Sequence, residues 1–171
     1  MKPEGYKTIL FTSNLSAASR IAFQHAALLA KQFRAKLVLL HVMERMPSNY
    51  ESYMVGLFGP DKLNEVLKRH KDEARHALVG KVSPGQMART ALSELCLESV
   101  TSETGSENPE ILVKNGEVIE VIMQVAAEHS CDLIILGAGE GLLSGTAVGR
   151  TIKSTLKQAK VPVLIVPSVS E

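Results

Sequence analysis

Tryptophan is absent, only two cysteines occur, and no apolar run approaches the length of a membrane span. The missing tryptophan carries no functional message, but the other two absences do. Cys96 and Cys131 show neither metal-ligand spacing nor a disulfide framework, so they read as buried or idle thiols. The opening MKPEGYKTIL has no apolar signal core, and with no spanning segment behind it a cytoplasmic location is expected. An excess of charge of one sign is also lacking. The formal net charge of +1 argues against a broad nucleic-acid surface, though not against a local basic patch. The five histidines have no i,i+4 partner and no cysteine at metal-site spacing, so each reads as a surface or satisfied core residue and no metal is expected.

What is present suffices for one domain. With 171 residues and 45% hydrophobic content, residues 1–171 can bury a real core. Thr8 to Thr12 and Lys36 to Val42 are short apolar runs that predict buried strands. Between them Ala22, Ala26, Leu29 and Phe33 fall on one helical face, with Ser16 as the expected N-cap. Pro60 to Val79 repeats helical spacing, and Pro60 with Asp61 suits a helix start. Ile111 to Val113 is a third strand candidate, followed by a helix carrying Val118, Ile122, Val125 and Ala126. Leu133 to Leu136, a helix marked by Val148, Ile152, Leu156 and Ala159, and a last strand from Val161 to Val166 complete the pattern. Lys81 to Pro109 interrupts it. A short helix through Met87, Leu92 and Leu95 and the polar TSETGSENP do not fit one regular element, so the segment is read as an insertion with a flexible end.

Alternation of strand and helix predicts a three-layer α/β/α fold around a five-stranded, mostly parallel sheet with right-handed crossovers. Ligands of such sheets sit beyond the carboxyl ends of the strands, where the strand order reverses. Thr12, Ser13 and Asn14, the strand end near Val42, and the loop after Leu136 are therefore candidate walls of one site. That loop holds Gly137, Gly139, Gly141, Gly145 and Gly149 between a strand and a helix. Glycine there allows close approach to a ligand, and free N–H groups at the helix start favour an anion. Glycines in a long loop also serve simply for turning. Neither Gly145 to Thr151 nor Gly137 to Gly141 matches an established phosphate motif: the first is one residue short of a Walker A loop with Arg150 in place of lysine, the second is GxGxG.

The segments YKTILFTSNLSAAS, LVLLHVMERM, ILVKNGEVIEVIMQVAAEHSCDLIILGAGEG and VGRTIKSTLKQAKVPVLIVP resemble the universal stress protein family, single-domain UspA type. The resemblance covers the chain outside about residues 45 to 110. It implies an adenine-nucleotide alpha-hydrolase-like (Rossmann-like) fold, a role in stress response and a homodimer paired through Val161 to Val166. Nucleotide-binding members carry Gly-x2-Gly-x9-Gly-Ser/Thr. Gly139 and Gly149 match the x9 pair, whereas Leu136 stands where the first glycine belongs, Gly137 is one residue late, and Arg150 holds the final Ser/Thr position, with Thr151 next. The resemblance also implies an aspartate after the first strand, where this chain has Asn14, and a backbone contact to adenine at Val42.

Three readings stay open at this point. One is a regulatory protein binding ATP, with or without magnesium, through Thr12, Ser13, Asn14, Val42, Gly137, Gly139, Gly149, Arg150 and Thr151. Another is a dimeric interaction protein whose loop is closed by an Arg150 pair with a carboxylate such as Glu140. The third, slow ATP hydrolysis, lacks a nameable base. Asn49 to Gly59 reads as a lid, an interface segment or a loop folded back on the body.

Overall fold

The computed structural model describes residues 4–43, 57–59, 65, 84–101, 109–139 and 147–168. Strands β1 (Thr8–Ser13), β2 (Lys36–Met43), β3 (Glu110–Asn115), β4 (Leu133–Ala138) and β5 (Val163–Pro167) alternate with helices α1 (Ala17–Phe33), α2 (Pro84–Thr101), α3 (Val118–Glu128) and α4 (Ala147–Gln158). The strands lie in the order β3-β2-β1-β4-β5, and every pairing is parallel. This is the expected three-layer fold, with a wholly parallel sheet.

Apolar residues on both strand faces explain why the sheet is buried on both sides. Ile9, Phe11, Leu37, Leu39 and Ile135 point to one layer, where they meet α1 and α2. Leu10, Val38, Leu40, Ile134 and Leu136 point to the other, against Val121, Ile122 and Val125 of α3 and Ile152 of α4. Leu39 is fully buried, so its truncation to alanine would cost about 2–5 kcal/mol. At the amino edge the Asp132 carboxylate accepts from the Lys7 and Thr8 amides at 2.8 and 3.2 Å, which satisfies the start of β1.

The helix faces differ from their sequence expectation in instructive ways. Helix α1 meets the sheet through Ala18, Ala22, Ala26 and Ala30, whose small side chains allow close approach, while Phe33 at its last turn is 42% exposed and packs edge-on against Tyr6. Among the described positions of α4, Gly149, Ile152 and Thr155 are buried, and Leu156 is 53% exposed. A threonine can be buried there because its hydroxyl donates to the Thr151 carbonyl at 2.8 Å. Residues 84–101 form one 18-residue helix whose Met87, Ala88, Ala91, Leu92 and Leu95 enter the core, where the sequence suggested only a short helix. Arg20 of α1 holds Glu98 of α2 with two hydrogen bonds, 3.1 and 2.8 Å. Apart from Glu65, which is helical, the expected Pro60 to Val79 helix lies outside the described residues. So does Asn49 to Gly59 apart from Leu57, Phe58 and Gly59, of which Leu57 and Phe58 are buried in the core.

Candidate functional site

The chain runs from β1 outward through β2 to β3, then returns to the other side of β1 to lay down β4 and β5. The order therefore reverses between β1 and β4, and a crevice opens where the loops leaving these two strands diverge. Thr12 is level with Leu136 across this seam and with Leu40 on the other side. β1 ends at Ser13 and β4 at Ala138, so the segments begun by Asn14 and Gly139 leave neighbouring strands at the same edge of the sheet.

The loop after β1 is held by its own side chains. Asn14 Oδ1 accepts from the Ser16 amide at 3.2 Å, from the Ser19 hydroxyl at 2.7 Å and from the Ser16 hydroxyl. The Ser16 amide can only donate, which assigns the accepting atom as the carboxamide oxygen. Asn14 itself is exposed. Ser13 Oγ accepts from the Leu15 amide at 3.0 Å, and Leu15 adopts a left-handed conformation with φ 59° while staying buried. That backbone state costs a leucine about 1 kcal/mol or more, which the serine contacts and the burial offset. Ser16 has N-cap backbone geometry but makes no side-chain cap bond, because its hydroxyl is turned to Asn14.

Behind this loop, His41 of β2 is 7% exposed and donates from Nδ1 to the Ser13 carbonyl at 2.8 Å. Burial lowers its pKa from the ordinary 6.5, against the opposing effect of that hydrogen bond, so the ring stays neutral. The end of β2 is in this way tied to the end of β1. Val42 is half-buried, lies on the opposite strand face from His41 and pairs with Lys114 of β3.

On the other wall, the two glycines of β4's end have different roles. A Cβ on Gly137 would lie 2.7 Å from the Ala18 carbonyl oxygen and 3.2 Å from the Ser19 nitrogen, so α1 crosses directly over it. Gly137 is still within β4, paired with Val166, and its glycine is explained by helix packing. Gly139 has left the strand, and a Cβ there would meet no described atom within 4 Å. Gly149 and Arg150 lie in the first described turn of α4, the former buried and the latter exposed, and Thr151 follows half-buried. First-turn N–H groups are the helix's natural anion contacts. Gly141, Gly145 and the suggested Arg150 partner Glu140 lie outside the described residues.

Sequence reasoning missed Ser19 and Asp132, while His41 is a satisfied core residue, one of the two readings given to the histidines. Serines at 13, 16 and 19, three apart around Asn14, were a usable signal for the first. The thiols are buried or half-buried, and burial pushes both up to about 11, so neither is a nucleophile at neutral pH. Among the described residues no cluster of His, Cys, Asp or Glu could hold a metal, and no helix is long and apolar enough to cross a membrane.

A family model described as Universal stress protein family matches residues 5–167. Universal stress protein MJ0577 of Methanocaldococcus jannaschii is 24% identical over 162 residues, which cover 94% of each chain. A crystal structure of a universal stress protein in complex with cAMP superposes with TM-score 0.54 at 18% identity, covering 95% of this chain and 98% of that one. A family protein from Arabidopsis thaliana with AMP bound superposes with TM-score 0.58 at 15% identity, covering 96% and 93%. At these identities the two structures speak to the fold alone.

Proposed function

The chain belongs to the universal stress protein family, and from that premise we propose that it is a regulatory protein of the stress response that binds an adenine nucleotide between the ends of β1 and β4. The observation that supports this reading is the seam itself: Asn14, held by Ser16 and Ser19, and Gly139, with no described atom within 4 Å of its Cβ position, follow the ends of the two strands between which the order reverses. The phosphates would meet the first turn of α4, with N–H groups of Gly149 and Arg150, the Arg150 guanidinium and the Thr151 hydroxyl as candidate partners. Thr12, Ser13 and Val42 would line the opposite wall. Solved family members with cAMP and with AMP support an adenine ligand. Asn14 suits magnesium poorly, because its oxygen is neutral and already accepts three hydrogen bonds. The proposal is one of binding, not of turnover.

Assembly and location form part of the same proposal. Strand β5 is a sheet edge, and Val163, Leu164 and Ile165 are only half-buried within one chain. An apolar edge of this kind needs cover, and a second copy of β5 would provide it in a cytoplasmic homodimer. The test of the binding site is to denature freshly purified protein, identify any released nucleotide by chromatography, and titrate ATP with and without magnesium by calorimetry. Released AMP, ADP or ATP, or micromolar binding that Gly149→Ala removes, supports the site. No released nucleotide and no heat at millimolar ATP would refute it and leave a dimeric interaction protein.

A further inference from the structure

The two helices on one side of the sheet carry opposite charge. Helix α4 and the residues just after it hold Arg150, Lys153, Lys157 and Lys160 with no acidic residue, and all four are exposed. Helix α3 with its N-cap holds Glu117, Glu120 and Glu128 with no basic residue, and these are exposed as well. Both sets follow helical spacing, so each runs as one outward stripe along its helix, with Gln124 continuing the acidic one. Val121, Ile122 and Val125 of α3 share a core cluster with Ile152 of α4, which sets the two stripes side by side on one outer surface. Little within the chain neutralises them. Among the described residues none of the four cations is in an ion pair, and neither is Glu120. Glu128 lies 3.5 Å from Lys114, and the Glu117 carboxylate accepts from the Ile119 and Glu120 amides.

We infer that this layer is a self-association surface, on which a second copy of the chain sets its acidic α3 over the basic α4 and its α4 over α3. Helices α3 and α4 each connect parallel strands, so both run against the strands and parallel to each other. A two-fold axis along the helices then brings opposite charges face to face, with matching spacing along the two stripes. An axis across the helices would set acid on acid and base on base, which repulsion disfavours. The charge pattern thus selects one arrangement. Leu156, 53% exposed, has Lys153 and Lys160 as its neighbours on the helix surface and adds apolar contact to the same face. Exposed ion pairs are individually weak, so the association belongs to high protein concentration and low salt. The surface is separate from the β5 edge and doubles whatever assembly that edge makes.

The test is sedimentation of the full-length protein at about 0.2 mM, in about 25 mM and about 0.5 M sodium chloride. The mass at low salt is expected to be about twice that at high salt. Replacing Lys153, Lys157 and Lys160 by glutamate makes both stripes acidic, and replacing Glu120, Gln124 and Glu128 by lysine makes both basic. Each variant alone should lose the salt-sensitive step, and an equimolar mixture of the two should regain it. A parent mass that ignores salt overturns the inference, as does a salt-sensitive step that survives in either variant alone or a mixture that stays apart. Val163→Lys should keep the step; its loss there would assign it to the strand edge and overturn the inference too. Binding of the parent to phosphatidylglycerol vesicles without a salt-sensitive change of mass would give the basic stripe to an anionic surface instead. Should a triple variant fail to fold, Lys157→Glu alone is expected to weaken low-salt association about two- to fivefold, and an unchanged association would overturn the inference.

Discussion

Replacing Gly137 with alanine adds one carbon where there is no room for it. The new Cβ would stand 2.7 Å from the Ala18 oxygen and 2.9 Å from the Ala18 carbonyl carbon, both backbone atoms of α1. Restoring ordinary contact requires the helix and strand to part by about 0.7 Å, and no rotamer change relieves a clash with main chain. Overpacking of this kind costs about 1–3 kcal/mol, which for a domain of this size lowers Tm by roughly 3–10 °C. The same displacement would loosen the Ser19 end of the Asn14 network, since Ser19 N lies 3.2 Å from the added carbon. Urea and thermal unfolding of Gly137→Ala should therefore show a lower midpoint with an unchanged urea m-value. Gly139→Ala is the control: with no described neighbour within 4 Å it should unfold within about 0.5 kcal/mol of the parent, yet weaken nucleotide binding. Parental stability in Gly137→Ala would refute the assignment of that glycine to helix packing.

Asp132→Ala strips the acceptors from the Lys7 and Thr8 amides and should cost about 1–2 kcal/mol in urea unfolding, with Asp132→Asn recovering part of it. His41 has its folded pKa below its ordinary 6.5, so on acidification the unfolded chain takes up the proton first. Its contribution is present above pH 6.5 and is lost as the pH falls below that value toward the folded pKa. Parent protein should accordingly lose stability between pH 7.5 and 5.5, while His41→Gln, weaker by about 1 kcal/mol at pH 7.5, should lose less over the same interval. Val163→Lys places a charge on the exposed edge of β5 and should shift the protein from dimer to monomer in light scattering, whereas an unaffected mass would remove β5 as the interface.

Strands were the most legible part of the chain, because burial on both faces leaves continuous apolar runs such as LVLL and LIIL that need no long-range information. Their ends were less so: β3 extends to Glu110 and Asn115, and the polar ends of that edge strand carry no apolar signal. Helix faces misled where residue type and position compete. Leu156 fits a helical stripe by hydrophobicity, yet Thr155 is turned inward because its hydroxyl is satisfied within its own helix. Phe33 continues the α1 stripe, but at the last turn of the helix it leaves the sheet for Tyr6. Helix α2 was blurred by an alanine- and serine-containing sequence, whose core side comes from the small residues Ala88 and Ala91 as much as from the leucines. At the site, glycine content indicated the loop after β4 but could not separate the two tasks of Gly137 and Gly139, which differ only in what crosses above them. Asn14 read as a turn residue, and its orientation depends on hydroxyls that a linear pattern shows merely as serines.

The seam between β1 and β4 joins two unequal halves of the sheet, three strands on one side and two on the other. A molecule gripped by both walls acts as a rivet across that join, and it is bound only while the halves are together. At a hundredfold excess over its dissociation constant such a rivet adds about 2.7 kcal/mol to the unfolding free energy. Openings that expose the chain to proteases would become about a hundredfold rarer, so the abundance of the protein in the cell would track the supply of its ligand even without any change of shape.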